Sequence, residues 1–212
     1  MSTKPMLFNG PMVRAILEER KTQTRRIVKP QKHPYGHLLS PDEVAREVLG
    51  LTCAVRCPYG QPGDLIWVRE THGYEVRSVS GTPHEQIVYR ATKPDAVRCY
   101  DCNGMEQPMK WHPSIHMPRW ASRITLLVTD VRVERVQDIS EGDAIHEGVE
   151  TEPRNWDACY KDAFARLWES INGPGSWDRN EWVWVIEFHL ILANVDSVLA
   201  DPERYGIEPE AA

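Results

Sequence analysis

Lys21-Thr22-Gln23-Thr24-Arg25-Arg26-Ile27-Val28 is where the chain changes character. Before it, Gly10 and Pro11 open a short helical pattern, with Gly10 as the N-cap and Pro11 at the first helical position, where a missing N–H costs nothing. Met12, Ala15, Ile16 and Glu19 follow at helical spacing. From Lys21 onward β-favouring residues take over. An extended chain sets Thr22, Thr24 and Arg26 on one face and Gln23, Arg25 and Ile27 on the other. A helix that hands a polar face to a strand makes a natural site edge.

Other elements follow outward from this junction. Proline-rich sequence from residue 29 to 62 reads as an irregular insert holding one helix, Pro41 to Leu49, capped by Ser40. Gly63-Asp64 turns into a strand through Glu70, a second strand covers Gln86 to Ala91, and residues 92 to 122 form another insert. Arg123 to Val136 alternates as a long strand. Ser140 caps a helix over Glu141 to Glu147 that Gly148 closes. Trp156, Cys159, Tyr160, Ala163, Phe164, Leu167, Trp168 and Ile171 recur at helical offsets, placing Cys159 in an apolar stripe. Trp182 to Leu192 is the last strand, and the polar segment 194–212 reads as a partly ordered tail. Strands spread along the whole chain must pair non-locally, so the expectation is a single α+β domain over residues 1–193 with a mixed or barrel-like sheet.

Composition narrows the function. The chain has 212 residues, is 41% hydrophobic and 26% charged, and carries a net charge of −6. No apolar run reaches the roughly 20 residues of a membrane span, and the N-terminus has no secretory h-region, which predicts a cytoplasmic protein. Residues 1–32 hold eight Lys/Arg against two Glu, whereas residues 130–212 hold seven against nineteen acidic residues. That balance argues against binding extended duplex DNA, which needs many basic contacts, and favours a small anion or a single flipped-out nucleotide.

The basic cluster itself suggests chemistry. A partly buried Lys21 beside Arg20, Arg25 and Arg26 would lose proton affinity and become a general base, with Thr24 as a nucleophile it could activate. The same string also reads as a solvated basic turn with threonines at strand positions. Trp120 beside Arg119 could stack on a splayed base or simply plug one end of the barrel. Glu70 is either an acceptor for an exocyclic amine or a partner of Arg26. Cys53-x3-Cys57 and Cys99-x2-Cys102 give two thiol pairs in the two inserts, a pattern that could hold structural zinc, with His72 and His112 as substitute ligands. His146 is a candidate proton shuttle. No phosphate-binding glycine loop or Gly-x-Ser-x-Gly elbow is present.

The string from Ile16 to Arg26 resembles the N-terminal signature of ASCH-domain proteins, a branch of the PUA-like β-barrels. Gly63-Asp64 leading to Glu70, the helix from Ser140 to Gly148, and Val185-Ile186-Glu187-Phe188 agree with it in order. The blocks Tyr59–Glu70 and Pro113–Arg123 look most like long phage-type members. The position two before the lysine, usually small in the family, is Glu19. The resemblance implies a PUA-like mixed β-barrel with surrounding helices and two irregular inserts, in a bacterial or phage-infected host cytosol. It also implies a partner that is a modified nucleoside or single-stranded RNA. Small bacterial N4-acetylcytidine amidohydrolases share the Lys-Thr-x-Thr-x-Arg pattern. By that likeness Lys21 is base, Thr24 nucleophile and Glu147 the acid or orienting carboxylate, with Arg26 contacting substrate or oxyanion and no catalytic cofactor required. The alternative is a non-catalytic module for RNA or a modified nucleotide.

Overall fold

Trp182–Ile191, the longest apolar strand, is buried on both faces, and this organises the molecule. In the computed structural model, which describes residues 1–50, 55–79, 82–101, 103–150 and 159–207 (78 and 79 by backbone alone), Val183 and Val185 point into one cluster while Trp184, Ile186 and Phe188 point into another. A strand covered on both sides cannot alternate apolar with polar, which is why this segment reads as a nearly unbroken hydrophobic run.

The chain enters as β1 (Thr3–Leu7), α1 (Gly10–Leu17) and β2 (Gln23–Ile27). The first insert contains the two-residue strands β3 (Gln31–Lys32) and β4 (Leu38–Leu39), then α2 (Pro41–Leu49) with a capping box between Ser40 and Glu43. β5 (Leu65–Arg69) precedes two hairpins, β6 (His72–Val79) with β7 (Thr82–Tyr89), and β8 (Val97–Tyr100) with β9 (Glu106–Pro108). β10 (Thr125–Arg135), α3 (Glu141–His146), α4 (Tyr160–Asn172), β11 (Trp182–Ile191) and α5 (Val195–Ala200) complete the order.

Five strands form one mixed sheet in the order β1-β5-β10-β11-β2, with β1 and β5 parallel and the other pairs antiparallel. β10 and β11 pair from Thr125 with Ile191 to Arg135 with Trp182, interrupted by a bulge between Val128 and Asp130. The architecture is therefore α+β. Among the described residues the expected barrel does not close through its ladder, because β1 and β2 are both edges. α1, which joins them, packs Val13 and Ile16 into the same cluster as Met6, Phe8 and Val28, so a helix covers the gap. Arg26 on β2 bridges to β1 instead, donating from Nη2 to Leu7 O at 2.9 Å.

Several local expectations change. Asn9, not Gly10, caps α1, since its side chain accepts from Met12 N and a glycine has no side chain to do so. The β6–β7 hairpin exceeds the single strand read at Gln86–Ala91, because Thr82 to Gln86 are exposed and carry no apolar alternation. Cys159 leaves the apolar stripe and stands at the N-cap of α4, where its thiol donates to Glu141 Oε1; Trp156 lies outside the described residues. Residues 194–207 are no loose tail. Val195, Val198 and Ile207 are buried against Leu65, Trp67 and Ile191, and Asn194 Nδ2 donates to the carbonyls of Arg119, Trp120 and Ser122. No helix among the described residues is long and apolar enough to cross a membrane.

Candidate active site

The site is built where α1 stops. Glu19 adopts a left-handed conformation, φ 57°, and the next two amides, Arg20 N and Lys21 N, both donate to Ala15 O at 2.9 and 3.0 Å. This turn drives Lys21 inward. Its backbone forms a bridge with Glu147, Thr22 N donates to His146 O at 2.8 Å, and Phe188 N donates to Thr22 O at 2.9 Å. The segment before β2 is thus clamped between the end of α3 and β11.

Glu147 is positioned by the other half of the clamp. Ser140 and Asp143 form a capping box at the start of α3, and Glu147 N donates to Asp143 O at its end. Gln23 Nε2 ties β2 to this helix through Asp143 O and Oδ1 at 3.1 and 2.9 Å. Gly148, φ 78°, then turns the chain away at a point too crowded for a side chain.

Inside the clamp, Lys21 Nζ donates to Glu147 Oε2 at 2.5 Å and to Glu147 O at 3.0 Å, and the lysine side chain has no exposed surface. Arg25 Nη1 donates to the other oxygen, Oε1, at 3.1 Å. Arg25 also donates from Nε and Nη2 to Glu134 Oε1 at 3.0 and 2.6 Å, and its guanidinium lies 5.6 Å from the centre of the Phe164 ring. Burial lowers the pKa of Lys21 from its ordinary value; Glu147 opposes this, and the charges of Arg26 and Arg25 add to the lowering.

Beside this network is a cavity of about 190 Å³ whose wall includes Thr24, Arg25, Arg26 and Glu147. Tyr59 and the α4 residues Phe164 and Trp168 supply its aromatic surface. Thr24 is 1% exposed, and Arg26 lies over the Phe8 ring at 5.2 Å from its centre. Lys21, Thr24, Arg26 and Glu147, scattered over 126 residue positions, therefore meet in one place, in an arrangement able to move a proton between an amine, a carboxylate and a ligand.

The remaining sequence candidates lie elsewhere. Glu70 is bonded not to Arg26 but to Arg123, through two bonds of 2.9 and 3.0 Å, and lines a different cavity with Arg14 and Arg90. Arg119 pairs with Asp196 and Thr3, while Trp120 is 63% exposed; neither lines the Thr24 cavity, nor does His146, whose side chain is exposed. Of the zinc candidates, Cys53 and Cys102 lie outside the described residues. Cys57 is buried in the main core and Cys99 sits on β8; among the described residues no three His, Cys, Asp or Glu side chains converge to hold a metal. His72 and His112 stack with ring centres 5.4 Å apart.

Tyr59 and the α4 wall were absent from the sequence-based site, and Arg25 entered it only as a charge beside Lys21, not as a partner of Glu147. The stripe of α4 was visible, but an apolar stripe specifies burial and not which cavity it walls. Comparison with protein-family models, curated proteins and solved structures finds no match for this chain.

Proposed function

We propose that the chain is an ASCH-like nucleoside amidohydrolase that removes the N4-acetyl group from acetylated cytidine or a closely related nucleoside. The observation that carries this reading is the fully buried Lys21–Glu147 pair beside a cavity lined by Thr24. A hydroxyl is a poor nucleophile until a neighbouring base takes its proton, and a lysine whose proton affinity is lowered by burial is such a base.

In the reaction, Thr24 Oγ1 attacks the acetyl carbonyl carbon as its proton passes to Lys21 Nζ. Arg26, in the wall of the same cavity, contacts the substrate. Collapse breaks the C–N4 bond, Lys21 returns the proton to N4, and cytidine leaves with the acetyl group esterified to Thr24. Water then attacks the ester, yielding a proton to Lys21, and acetate departs as Thr24 is reprotonated. No step calls for a metal or organic cofactor.

One observation favours a second reading, a non-catalytic module for RNA or a modified nucleotide. Both oxygens of Glu147 are engaged by cations, an arrangement that also serves as a static ion pair. Chromatography of N4-acetylcytidine incubated with the protein separates the two. The catalytic reading expects cytidine and acetate from the wild type and a loss of at least about 10²-fold for Thr24→Val, with an unchanged melting temperature. Absence of turnover together with retained nucleotide binding would favour the module; turnover unaffected by Thr24→Val and by Lys21→Met removes both assigned roles.

A further inference from the structure

The ion pairs of the site leave positive charge in the cavity wall. Glu147 is the one carboxylate among the lining residues, and Lys21 and Arg25 occupy it. Arg26 and Lys29 line the same cavity, and neither has a carboxylate in ion-pair contact among the described residues. Arg26 is not a freely solvated surface group: it is part-buried, held between Leu7 O and the Phe8 ring. A third group points the same way. Trp168 is 4% exposed, lines the cavity, and its buried Nε1 has no hydrogen-bond partner.

A part-buried guanidinium without a counter-charge and an unpaired buried donor are costly until a ligand supplies acceptors, and the exposed Lys29 adds positive charge at the rim. A neutral nucleoside offers carbonyl and hydroxyl oxygens but no counter-charge. A phosphate offers two negative charges and several strong acceptors, which suits a guanidinium backed by an ammonium. The aromatic surface of Tyr59, Phe164 and Trp168 suits the attached planar base. We propose that this cavity takes a nucleotide in preference to a nucleoside, with a 5′-phosphate held by Arg26 and Lys29 and a ligand oxygen accepting from Trp168 Nε1. This assignment rests on the nucleobase reading above and narrows its substrate class.

Binding tests it without requiring turnover. Titration calorimetry with cytidine and with cytidine 5′-monophosphate, at low and at moderate salt, is expected to show the monophosphate binding at least about tenfold more tightly at low salt. The gap should shrink several-fold in Lys29→Gln, a rim substitution outside the Lys21–Thr24–Glu147 machinery, and shrink again at higher salt. Trp168→Phe keeps the ring and removes the donor, and should weaken the monophosphate several-fold. Equal dissociation constants for the two ligands, or a preference that Lys29→Gln leaves intact, overturn the phosphate site; unchanged affinity in Trp168→Phe overturns that contact. If neither N4-acetylcytidine nor its 5′-monophosphate is hydrolysed yet the monophosphate preference holds, the catalytic reading falls and this one stands. If acetylated nucleoside and nucleotide are hydrolysed with equal kcat/KM and bind equally, the reverse is true.

Discussion

Gly148 lies directly against Lys21: a Cβ at position 148 would come within 2.9 Å of Lys21 Cβ and 2.8 Å of Ala15 Cβ. The glycine also has φ 78°, so a side chain there is opposed by backbone strain and by contact at once. Strain contributes roughly 1–2 kcal/mol and overpacking roughly 1–3 kcal/mol. Gly148→Ala is therefore expected to destabilise the fold by about 2–5 kcal/mol in denaturant titration, and to disturb the lysine–carboxylate pair in whatever fold survives. A loss under about 0.5 kcal/mol would mean that the α3 terminus gives way easily.

Lys21 and Glu147 should not be equivalent when removed. Lys21→Met leaves Glu147 paired with Arg25, whereas Glu147→Gln leaves the buried Lys21 without a carboxylate while Arg25 keeps Glu134. Breaking a buried pair to strand a charge costs roughly 3–5 kcal/mol, so Glu147→Gln is expected near that range and Lys21→Met at about half of it. Comparative urea unfolding with the double variant checks the order; Lys21→Met being the worse of the two contradicts the shared-carboxylate geometry.

Glu19 occupies a conformation that suits glycine. A non-glycine residue in the left-handed region costs roughly 1–2 kcal/mol, and the exposed Glu19 side chain does little to offset it. Glu19→Gly is expected to stabilise the protein by up to about 1 kcal/mol, seen as a melting temperature a few degrees higher. A lower melting temperature would show that the turn depends on the glutamate side chain.

Acid should weaken the α3 anchor. Burial tends to raise the Asp143 pKa, but hydrogen bonds from Gln23 and Ser140 and the charge of Arg25 bring it down to about 2 from an ordinary 3.8. A carboxylate with a depressed folded pKa stabilises the protein above its unfolded value and loses that contribution as pH falls, here between about 4 and 2. Discounted for solvent screening at this partly exposed position, the contribution at neutral pH is about 1 kcal/mol. Asp143→Asn should flatten the stability curve across that window; a curve that stays parallel to the wild type excludes Asp143 as the titrating anchor.

The zinc proposal has a direct readout at Cys57, whose thiol burial pushes up to about 11 against the backbone N–H groups of Tyr59 and Gly60. Without metal, Cys57 is expected to resist thiol reagents at pH 8 until the protein unfolds. With zinc, the purified protein should carry close to one equivalent, and Cys57→Ser should abolish it. A zinc content below about half an equivalent removes the proposal.

Elements whose stability is local were legible from sequence. Ser40 and Ser140 mark their helices because a capping side chain and its target amide lie within three residues, and the alternation of β10 survives because one strand carries it. The Arg20–Arg26 segment stood out because four cations in seven residues need an explanation. Segments whose role depends on distant partners were misread: 194–207 is polar enough to look like a tail, yet three apolar residues at 195, 198 and 207 suffice to dock it on β5 and β11. Glu70 was assigned to the site from its place at a strand end, but the arginine that claims it is 53 residues away.

Residue order alone thus determined the capped helices α2 and α3, the strands β5, β10 and β11, and which groups carry unusual charge, since caps, turns and periodicity act over a few residues. Tertiary structure decided that the carboxylate meeting Lys21 also holds Arg25, that α4 walls the cavity, and that β1 and β2 remain edges bridged by Arg26. Those outcomes depend on desolvation and contact between segments far apart in the chain, and no local pattern encodes the distance between two charges.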